Sequence, residues 1–183
     1  MSISDLKNLM PDYAKDIKLN LSTLATDETL NPQQLAGTFL ASALATGNQT
    51  VIKAIEAEAA QHLSDEALTA AKAAAAIMAM NNIYYKFTYI MDDYRNMPAK
   101  LRMNILGKPG IEEKADFELW SLAVSIINAC KSCVIAHEQK AREEGISTAQ
   151  IQTVARVASV VHAVAAVLDG EIAMNDDVAK KAA

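Results

Sequence analysis

The two cysteines of this chain stand three residues apart, and a histidine follows the second cysteine by four residues. They are Cys130, Cys133 and His137, in the segment NACKSCVIAHE. Side chains three and four residues apart meet on one face of an α-helix. The Cα atoms of residues i and i+3 are about 5 Å apart in a helix, which lies within the range that a disulfide requires. The spacing therefore permits a reversible disulfide with an imidazole beside it.

The surroundings predicted for each thiol favour a different cysteine as the nucleophile. Cys130 stands near the expected start of a helix, where free N–H groups and the helix dipole stabilise a thiolate. His137 follows Cys133 by one helical turn and can take its proton directly or through one water. Taken alone, these residues leave both cysteines open as the attacking thiol.

A carboxylate upstream is a candidate partner for the imidazole. Glu118 lies in the apolar segment ADFELW, where a buried charge without a partner would be costly. A carboxylate that accepts a hydrogen bond from a histidine fixes the tautomer of the ring. We therefore expect Glu118 to orient His137.

Metal binding and simple burial are the competing interpretations of the same residues. The segment CKSCVIAH supplies at most three metal ligands, with Glu118 available as a fourth, and three ligands along one short helix form a poor tetrahedron. Free cysteines are also often inert core residues. In a reducing compartment, a CxxC pair indicates redox chemistry or metal binding rather than a structural disulfide. We favour redox chemistry and expect no bound metal.

The composition predicts that helices position these residues. Of 183 residues, 51% are hydrophobic but only 5% are aromatic, which favours helices packed closely through small side chains. Asn31 before Pro32, and Ser147 before Gln150, are typical helix N-terminal signals. We predict an all-α single domain over 1–183. Apolar residues recur at helical spacing over 2–20, 32–46, 49–62, 65–90, 93–104, 113–128, 131–144 and 148–168.

An internal repeat of helical hairpins is predicted from the alignment of segment 40–78 with segment 122–161, given one inserted residue. It divides the helical bundle into halves of about 1–105 and 106–183, on either side of the loop LGKPG. The first half lacks the reactive side chains. In the places of Cys130, Cys133 and His137 it has Asn48, Val51 and Ile55.

Charge and hydropathy exclude several classes of partner. The net charge is −5 and Lys and Arg form no block, so the basic surface of a nucleic-acid-binding protein is missing. The first twenty residues carry charges throughout, and no segment approaches about 18 uncharged apolar residues. We expect a cytoplasmic protein that binds neither nucleic acid nor membrane.

The segments MNILGKPG and DFELWSLAVSIINACKSCVIAHE resemble the alkyl hydroperoxide reductase D family, AhpD, within the carboxymuconolactone decarboxylase-like superfamily. The likeness runs over nearly the whole chain and includes the Glu, CxxC and His signature in register. It implies an all-helical subunit with an internal repeat, commonly assembled as a homotrimer. It also implies a lipoyl-dependent peroxidase that holds no bound cofactor.

The family pattern implies a role for each candidate residue. Cys133 would be the peroxidatic thiol, and Cys130 its disulfide partner and proton donor. Glu118 and His137 would form the proton relay. One position departs from the pattern, because some members have a histidine immediately before the second cysteine, where this chain has Ser132. A relay step through that imidazole is in doubt here.

The resemblance also implies external partners. The reductant would be the dihydrolipoyl group of a lipoylated acyltransferase from a 2-oxo acid dehydrogenase complex, and an AhpC-type peroxiredoxin could receive the electrons. An alternative function is therefore an electron-transfer adaptor with little peroxidase activity of its own. A further alternative is a lactone decarboxylase or isomerase, which would not depend on the thiols.

The aromatic residues and the methionines are predicted to have packing roles. Methionine is flexible and fills gaps in protein cores. Core or subunit contacts, rather than the wall of a ligand site, are expected for Tyr84, Tyr85, Phe87, Tyr89 and Trp120.

Overall fold

The described part of the chain folds into nine α-helices and contains no β-strand. A computed structural model describes the backbone of residues 2–181 and the side chains of residues 2–175. The all-α prediction is confirmed. The helices are α1 (Ile3–Leu9), α2 (Lys15–Ala25), α3 (Pro32–Thr46), α4 (Gln49–Ala59), α5 (Asp65–Ile90), α6 (Asp92–Arg95), α7 (Lys114–Ile127), α8 (Lys131–Glu143) and α9 (Thr148–Lys181), with single 3₁₀ turns at Asp12–Ala14 and Asn104–Leu106.

The helix starts that were predicted from capping residues are confirmed. The Asn31 side chain accepts a hydrogen bond from the backbone N–H of Gln34 at 2.8 Å, and Pro32 is the first helical residue of α3. Before α9, the backbone N–H of Gln150 donates to Ser147 Oγ at 3.3 Å, and the Ser147 N–H donates to Gln150 Oε1 at 2.9 Å. Each pair satisfies N–H groups that a helix leaves unpaired at its start.

Three predicted helix ranges are wrong, two of them at prolines. The range 2–20 is two helices, since the chain is extended at Met10 before Pro11, as a residue before proline prefers. The range 93–104 contains one helical turn, and the backbone past it is irregular around Pro98, which cannot donate a helical hydrogen bond. Beyond 168, where the prediction stopped, α9 continues to Lys181.

Helices α3 and α7 form the centre of the bundle. Each packs against the other and against α5 and α9, and α7 also carries α8 on one side. Trp120 of α7 is fully buried against Gly37 of α3, and a Cβ atom at Gly37 would lie 2.2 Å from Trp120 Cε2. The Trp120 indole N–H donates to the carbonyl oxygen of Gln34 at 3.3 Å. Glycine at this position lets the two central helices approach closely.

A buried carboxylate fixes the first turn of α7 to α3. Asp116 accepts hydrogen bonds from Gln33 Nε2 at 2.7 Å and from Gln34 Nε2 at 2.9 Å. Burial raises the pKa of the Asp116 carboxyl, and the two amide hydrogen bonds act in the opposite direction. Since Glu118 lies two residues further along α7, these bonds help to set its position.

The helix order in the second half follows that in the first half. Asn48 is the N-cap residue of α4, and Cys130 is the N-cap residue of α8. Ser64 is the N-cap residue of α5, and Ser147 precedes α9 with a capping box. The aligned positions thus fall at corresponding helix starts, while the division into two halves stays a prediction.

Helix α9 is long and apolar enough to cross a membrane by length and composition alone. An 18-residue window within Thr148–Asn175 has a mean hydropathy of 1.7, and half of that window is buried inside the protein. The sequence analysis did not select this segment because Arg156 interrupts its uncharged residues. Since α9 packs against α2, α3 and α7, core packing accounts for its apolar face.

Candidate functional site

Cys130 and Cys133 form a disulfide at the start of α8, with their Cα atoms 5.3 Å apart. Cys133 lies in the first turn of the helix, whereas Cys130 is the N-cap residue, with φ −89° and ψ 94°. Cys130 was expected near the start of a helix over 131–144, and the structure places it immediately before that helix. Ala129 has φ 51°, a left-handed conformation that a helix cannot contain, so the chain turns into α8 only after Cys130.

Buried amides and hydroxyls hold the turn before Cys130. The Cys130 N–H donates to the Ser125 carbonyl oxygen at 3.1 Å. Asn82 of α5 donates to Ser125 Oγ and accepts from Asn128 Nδ2, both at 3.0 Å. The sequence analysis missed Asn82, although the adjacent asparagines 81 and 82 interrupt an apolar helix. A buried amide in such a helix needs partners, and here it supports the loop that carries the first cysteine.

The two sulfur-bearing residues differ in exposure. Cys130 is fully buried and Cys133 is 6% exposed. An external thiol therefore approaches Cys133 more readily than Cys130, since thiol–disulfide exchange depends on access to the sulfur that is attacked. This difference favours Cys133 as the sulfur that reacts with molecules from outside.

Glu118 and His137 form a buried pair between α7 and α8. His137 Nδ1 lies 2.6 Å from Glu118 Oε2, and Lys140 Nζ lies 3.6 Å from Glu118 Oε1. The partner that the sequence analysis expected for Glu118 is thus in place, with Lys140 as a second partner that it missed. Lys140 stands one turn after the histidine on α8, and this i+3 spacing was the available signal.

The second ring nitrogen of His137 faces a methionine. His137 Nε2 lies 3.2 Å from Met78 Sδ of α5. Because a carboxylate only accepts hydrogen bonds, the 2.6 Å contact with Glu118 places the ring proton on Nδ1. In the neutral ring, Nε2 is then the free base. Met78 was assigned a gap-filling role from the sequence, whereas the structure places its sulfur against the nitrogen that would move a proton.

The residues between the cysteines make separate contacts. Ser132 Oγ lies 3.6 Å from Cys130 Sγ. The Lys131 ammonium lies 5.4 Å from the centre of the Tyr89 ring, within the range of a cation–π contact. Its hydrogen bond and charge lower the pKa of Tyr89, and the same hydrogen bond raises the pKa of Lys131. Lys131 therefore stays charged at neutral pH.

A cavity of about 380 Å³ opens beside Ser132. Tyr84, Tyr85 and Tyr89 of α5 form one wall, and Met97 of the segment that follows α6 lies among the other lining residues. The sequence analysis expected these tyrosines to be core or subunit contacts, and that expectation stays a prediction. The prediction for Trp120 as a core residue is confirmed.

A larger cavity lies elsewhere. It has a volume of about 730 Å³ and is lined by residues of α1 to α4 and the loops beside them, including Phe39 and His62. None of the residues of the disulfide or of the Glu118–His137 pair lines it. Across the described residues, no three His, Cys, Asp or Glu side chains converge as they would around a metal ion.

Comparison with known proteins gives a family and close relatives. The model of the carboxymuconolactone decarboxylase family matches residues 92–176. A protein of Gluconacetobacter diazotrophicus named alkyl hydroperoxide reductase AhpD is 63% identical over 177 residues, which cover 96% of this chain and 97% of the relative. Proteins of the same name from Maricaulis maris and a Bradyrhizobium species are 57% and 55% identical, over 93% and 92% of this chain and 99% and 94% of the relatives.

Proposed function

This chain belongs to the alkyl hydroperoxide reductase AhpD family, and on that premise we propose that it reduces organic hydroperoxides to alcohols through Cys130 and Cys133. The observation that carries the proposal is the disulfide between these residues at the start of α8. A pair of thiols that can close into a disulfide can give up the two electrons that cleavage of a peroxide bond requires.

The oxidative half of the reaction has two steps. The Cys133 thiolate attacks the distal oxygen of the hydroperoxide, the O–O bond breaks, and the alkoxide takes a proton and leaves as the alcohol. The Cys130 thiolate then attacks the sulfur of the Cys133 sulfenic acid, and hydroxide leaves with a proton as water. Cys133 takes the first role because it is the more exposed of the two and because the family pattern assigns it that role.

His137 is proposed to move the protons of these steps. Glu118 keeps the ring proton on Nδ1, so Nε2 can accept the proton of the Cys133 thiol directly or through one water. Glu118 acts through His137 and is therefore a positioning residue. Ser132 can donate a hydrogen bond to the Cys130 sulfur, with which its hydroxyl is already in contact.

The reductant is proposed to be the dihydrolipoyl group of a lipoylated acyltransferase. One of its thiolates attacks the Cys133 sulfur, and Cys130 leaves as a thiolate at the N-terminus of α8, where the helix dipole stabilises negative charge. The second lipoyl thiol then closes the lipoyl disulfide and releases Cys133. The chain itself has only two cysteines, both of which are oxidised in the first half-reaction, so the electrons must come from another molecule.

Self-association is proposed through the end of α5. Ile83, Phe87 and Ile90 form a stripe at i, i+4 and i+7 and are 67%, 45% and 69% exposed. An exposed apolar stripe of this kind is typical of a subunit contact. The tyrosines that line the cavity lie on another face of the same helix. We propose the homotrimer that the family resemblance implies, acting in the cytoplasm.

The test is consumption of cumene hydroperoxide by the reduced protein, with and without dihydrolipoamide. We expect one disulfide and one alcohol per hydroperoxide within seconds, and continued turnover only with the dithiol. Replacement of both cysteines by serine should abolish the reaction. Full activity of that double variant would instead favour chemistry that does not depend on the thiols.

An electron-transfer adaptor is the other outcome of the same test. If the reduced protein forms no disulfide with hydroperoxide in seconds but transfers electrons from dihydrolipoamide to an AhpC-type peroxiredoxin, direct peroxidase action is excluded. The proposed function predicts instead that hydroperoxide oxidises the reduced protein faster than an AhpC-type peroxiredoxin does.

A further inference from the structure

The cavity beside Ser132 has an apolar wall and lies next to the reactive disulfide, although neither cysteine lines it. Tyr84, Tyr85 and Tyr89 contribute aromatic surface, Met97 contributes a thioether, and Ser132 contributes a hydroxyl that is 3.6 Å from Cys130 Sγ. A volume of about 380 Å³ lies within the range of small-molecule sites, which are concave and mostly apolar with a few polar groups. The cavity is large enough for an alkyl chain.

Two cations lie near the Tyr89 ring, which lines the cavity: Arg95 lines the cavity itself, whereas Lys131 lies outside its lining and next to Ser132 in the chain. Arg95 Cζ is 5.6 Å and Lys131 Nζ is 5.4 Å from the centre of the Tyr89 ring. Arg95 already has a carboxylate partner, because its Nη2 atom lies 2.8 Å from Asp92 Oδ1, and it also donates to the Tyr89 carbonyl oxygen at 2.9 Å.

Lys131 has no such carboxylate. Among the side chains of residues 2–175, no Asp or Glu oxygen lies within ion-pair distance of its ammonium. The residue is exposed and directly precedes Ser132 in the chain. An apolar cavity with a cation beside it that has no carboxylate partner is complementary to a molecule that has an apolar chain and one anionic group.

We propose that this cavity binds organic hydroperoxides that carry a carboxylate, with the alkyl chain against the tyrosines and the carboxylate paired with Lys131. Peroxidised fatty acids have this chemistry. The site then selects among hydroperoxides, and the chemical step at Cys133 is the one given above. The inference rests on the proposed function for its reaction, whereas binding of an unreactive carboxylate tests it separately.

The kinetic test compares a hydroperoxide of octadecadienoic acid with its methyl ester, below the concentration at which either forms micelles. We expect kcat/KM for the acid to exceed that for the ester by about fivefold, the size of one exposed ion pair. Lys131→Gln should reduce this ratio to about one, and Lys131→Arg should preserve it. The ratio within each variant cancels any effect of the substitution on the thiols.

A matched lysine controls for net charge. Lys86 is exposed on α5, does not line the cavity and, unlike Lys131, has no cation–π contact with Tyr89, so Lys86→Gln should leave the ratio of acid to ester at its original value. A wild-type ratio of one, or a ratio that survives Lys131→Gln, would overturn the inference.

The binding test needs no turnover. Calorimetric titration of the oxidised protein with dodecanoate should show saturable binding that Lys131→Gln weakens about fivefold. Ala99 also lines the cavity, and Ala99→Phe should weaken binding by filling it. If no hydroperoxide is consumed but dodecanoate binds in this way, the proposed function fails and the site stands. If hydroperoxides are consumed but dodecanoate does not bind, the site fails and the function stands.

Discussion

The Nδ1 atom of His137 lies 2.6 Å from Oε2 of Glu118, and both side chains are buried where α7 packs on α8. A short contact between an imidazole and a carboxylate in a buried setting fixes both the orientation and the tautomer of the ring. Nε2 is therefore the ring nitrogen that can accept a proton. Separate substitution of His137 and Glu118 measures how much each residue contributes to the rate of thiol oxidation.

Substitution of either partner should slow oxidation of the thiols. His137→Phe removes the base, and we expect the rate of disulfide formation with hydroperoxide to fall by about 100-fold at neutral pH. Glu118→Gln keeps the shape but loses the charge, which should cost roughly tenfold, comparable to one charge-assisted hydrogen bond. Stopped-flow measurement across a pH series should also show the profile of both variants displaced to higher pH.

The matched control for this pair lies on the exposed side of α8. Glu143 accepts a hydrogen bond from Gln139 and is remote from the buried pair, so Glu143→Gln should leave the rates unchanged. An unaltered pH profile in His137→Phe would remove the histidine from the proton relay.

Loss of the Ser132 hydroxyl should affect reduction of the disulfide more than its formation. The hydroxyl is 3.6 Å from Cys130 Sγ, and Cys130 is the leaving thiolate when a dithiol attacks Cys133. We expect Ser132→Ala to slow reduction by dihydrolipoamide about fivefold, the value of one neutral hydrogen bond.

Two variants separate this effect from a general loss of structure. Ser132→Thr retains a hydroxyl and should restore the rate of reduction. Ser159→Ala removes a hydroxyl that bonds only to the Ala155 carbonyl oxygen on α9, and it should leave that rate unchanged. Equal slowing of oxidation and reduction in Ser132→Ala would contradict a specific role at the leaving thiolate.

Gly37→Ala should destabilise the fold through the two central helices. The added Cβ would lie 2.2 Å from Trp120 Cε2, so α3 and α7 must separate. Overpacking of this kind costs about 1–3 kcal/mol of unfolding free energy, which urea titration would detect.

Substitution of Gly170 is expected to have the opposite effect on stability in the same urea titration. It lies in α9, and no atom lies within 4 Å of a Cβ placed there. Gly170→Ala should therefore stabilise the protein by about 0.5–1 kcal/mol, since alanine favours a helix over glycine. A Gly37→Ala protein as stable as the wild type would show that the two helices tolerate separation.

The stability that depends on Asp116 should fall as pH rises. Burial raises the pKa of the Asp116 carboxyl in the folded protein, so between the unfolded and folded pKa values the folded state binds more protons. The unfolding free energy then decreases with pH in that interval. The wild type should lose stability relative to Asp116→Asn between about pH 4 and the raised pKa, measured by urea titration at several pH values. A difference in unfolding free energy between the two proteins that does not change with pH would contradict this prediction.

The helices could be predicted from the sequence because their starts depend on local chemistry. Asn31 with Pro32, and Ser147 with Gln150, act over three residues, and the structure has both caps. The failures at 2–20 and 93–104 occurred where apolar spacing continued across a proline, and there the backbone effect of Pro11 or Pro98 prevailed over periodicity.

The disulfide geometry could be predicted from spacing, but its surroundings could not. Asn82 and Met78 contact the site from α5, about fifty residues away in the chain. Such contacts depend on how α5 packs on α7 and α8, which no local pattern encodes. The cavity beside the tyrosines could not be predicted for the same reason, since one helical face can meet a core, a subunit or a ligand.

The position of Cys130 outside α8 also determines how much of the fold must respond to a change of oxidation state. Its carbonyl oxygen accepts the N–H of Val134 at 2.9 Å, and its own N–H is bonded to Ser125 in the preceding turn. The sulfur belongs to the side chain alone, so rotation about one Cα–Cβ bond can open or close the link without breaking a backbone hydrogen bond. The cycle of oxidation and reduction can therefore proceed by rotation of the Cys130 side chain, while the backbone hydrogen bonds on both sides of Cys130 stay in place.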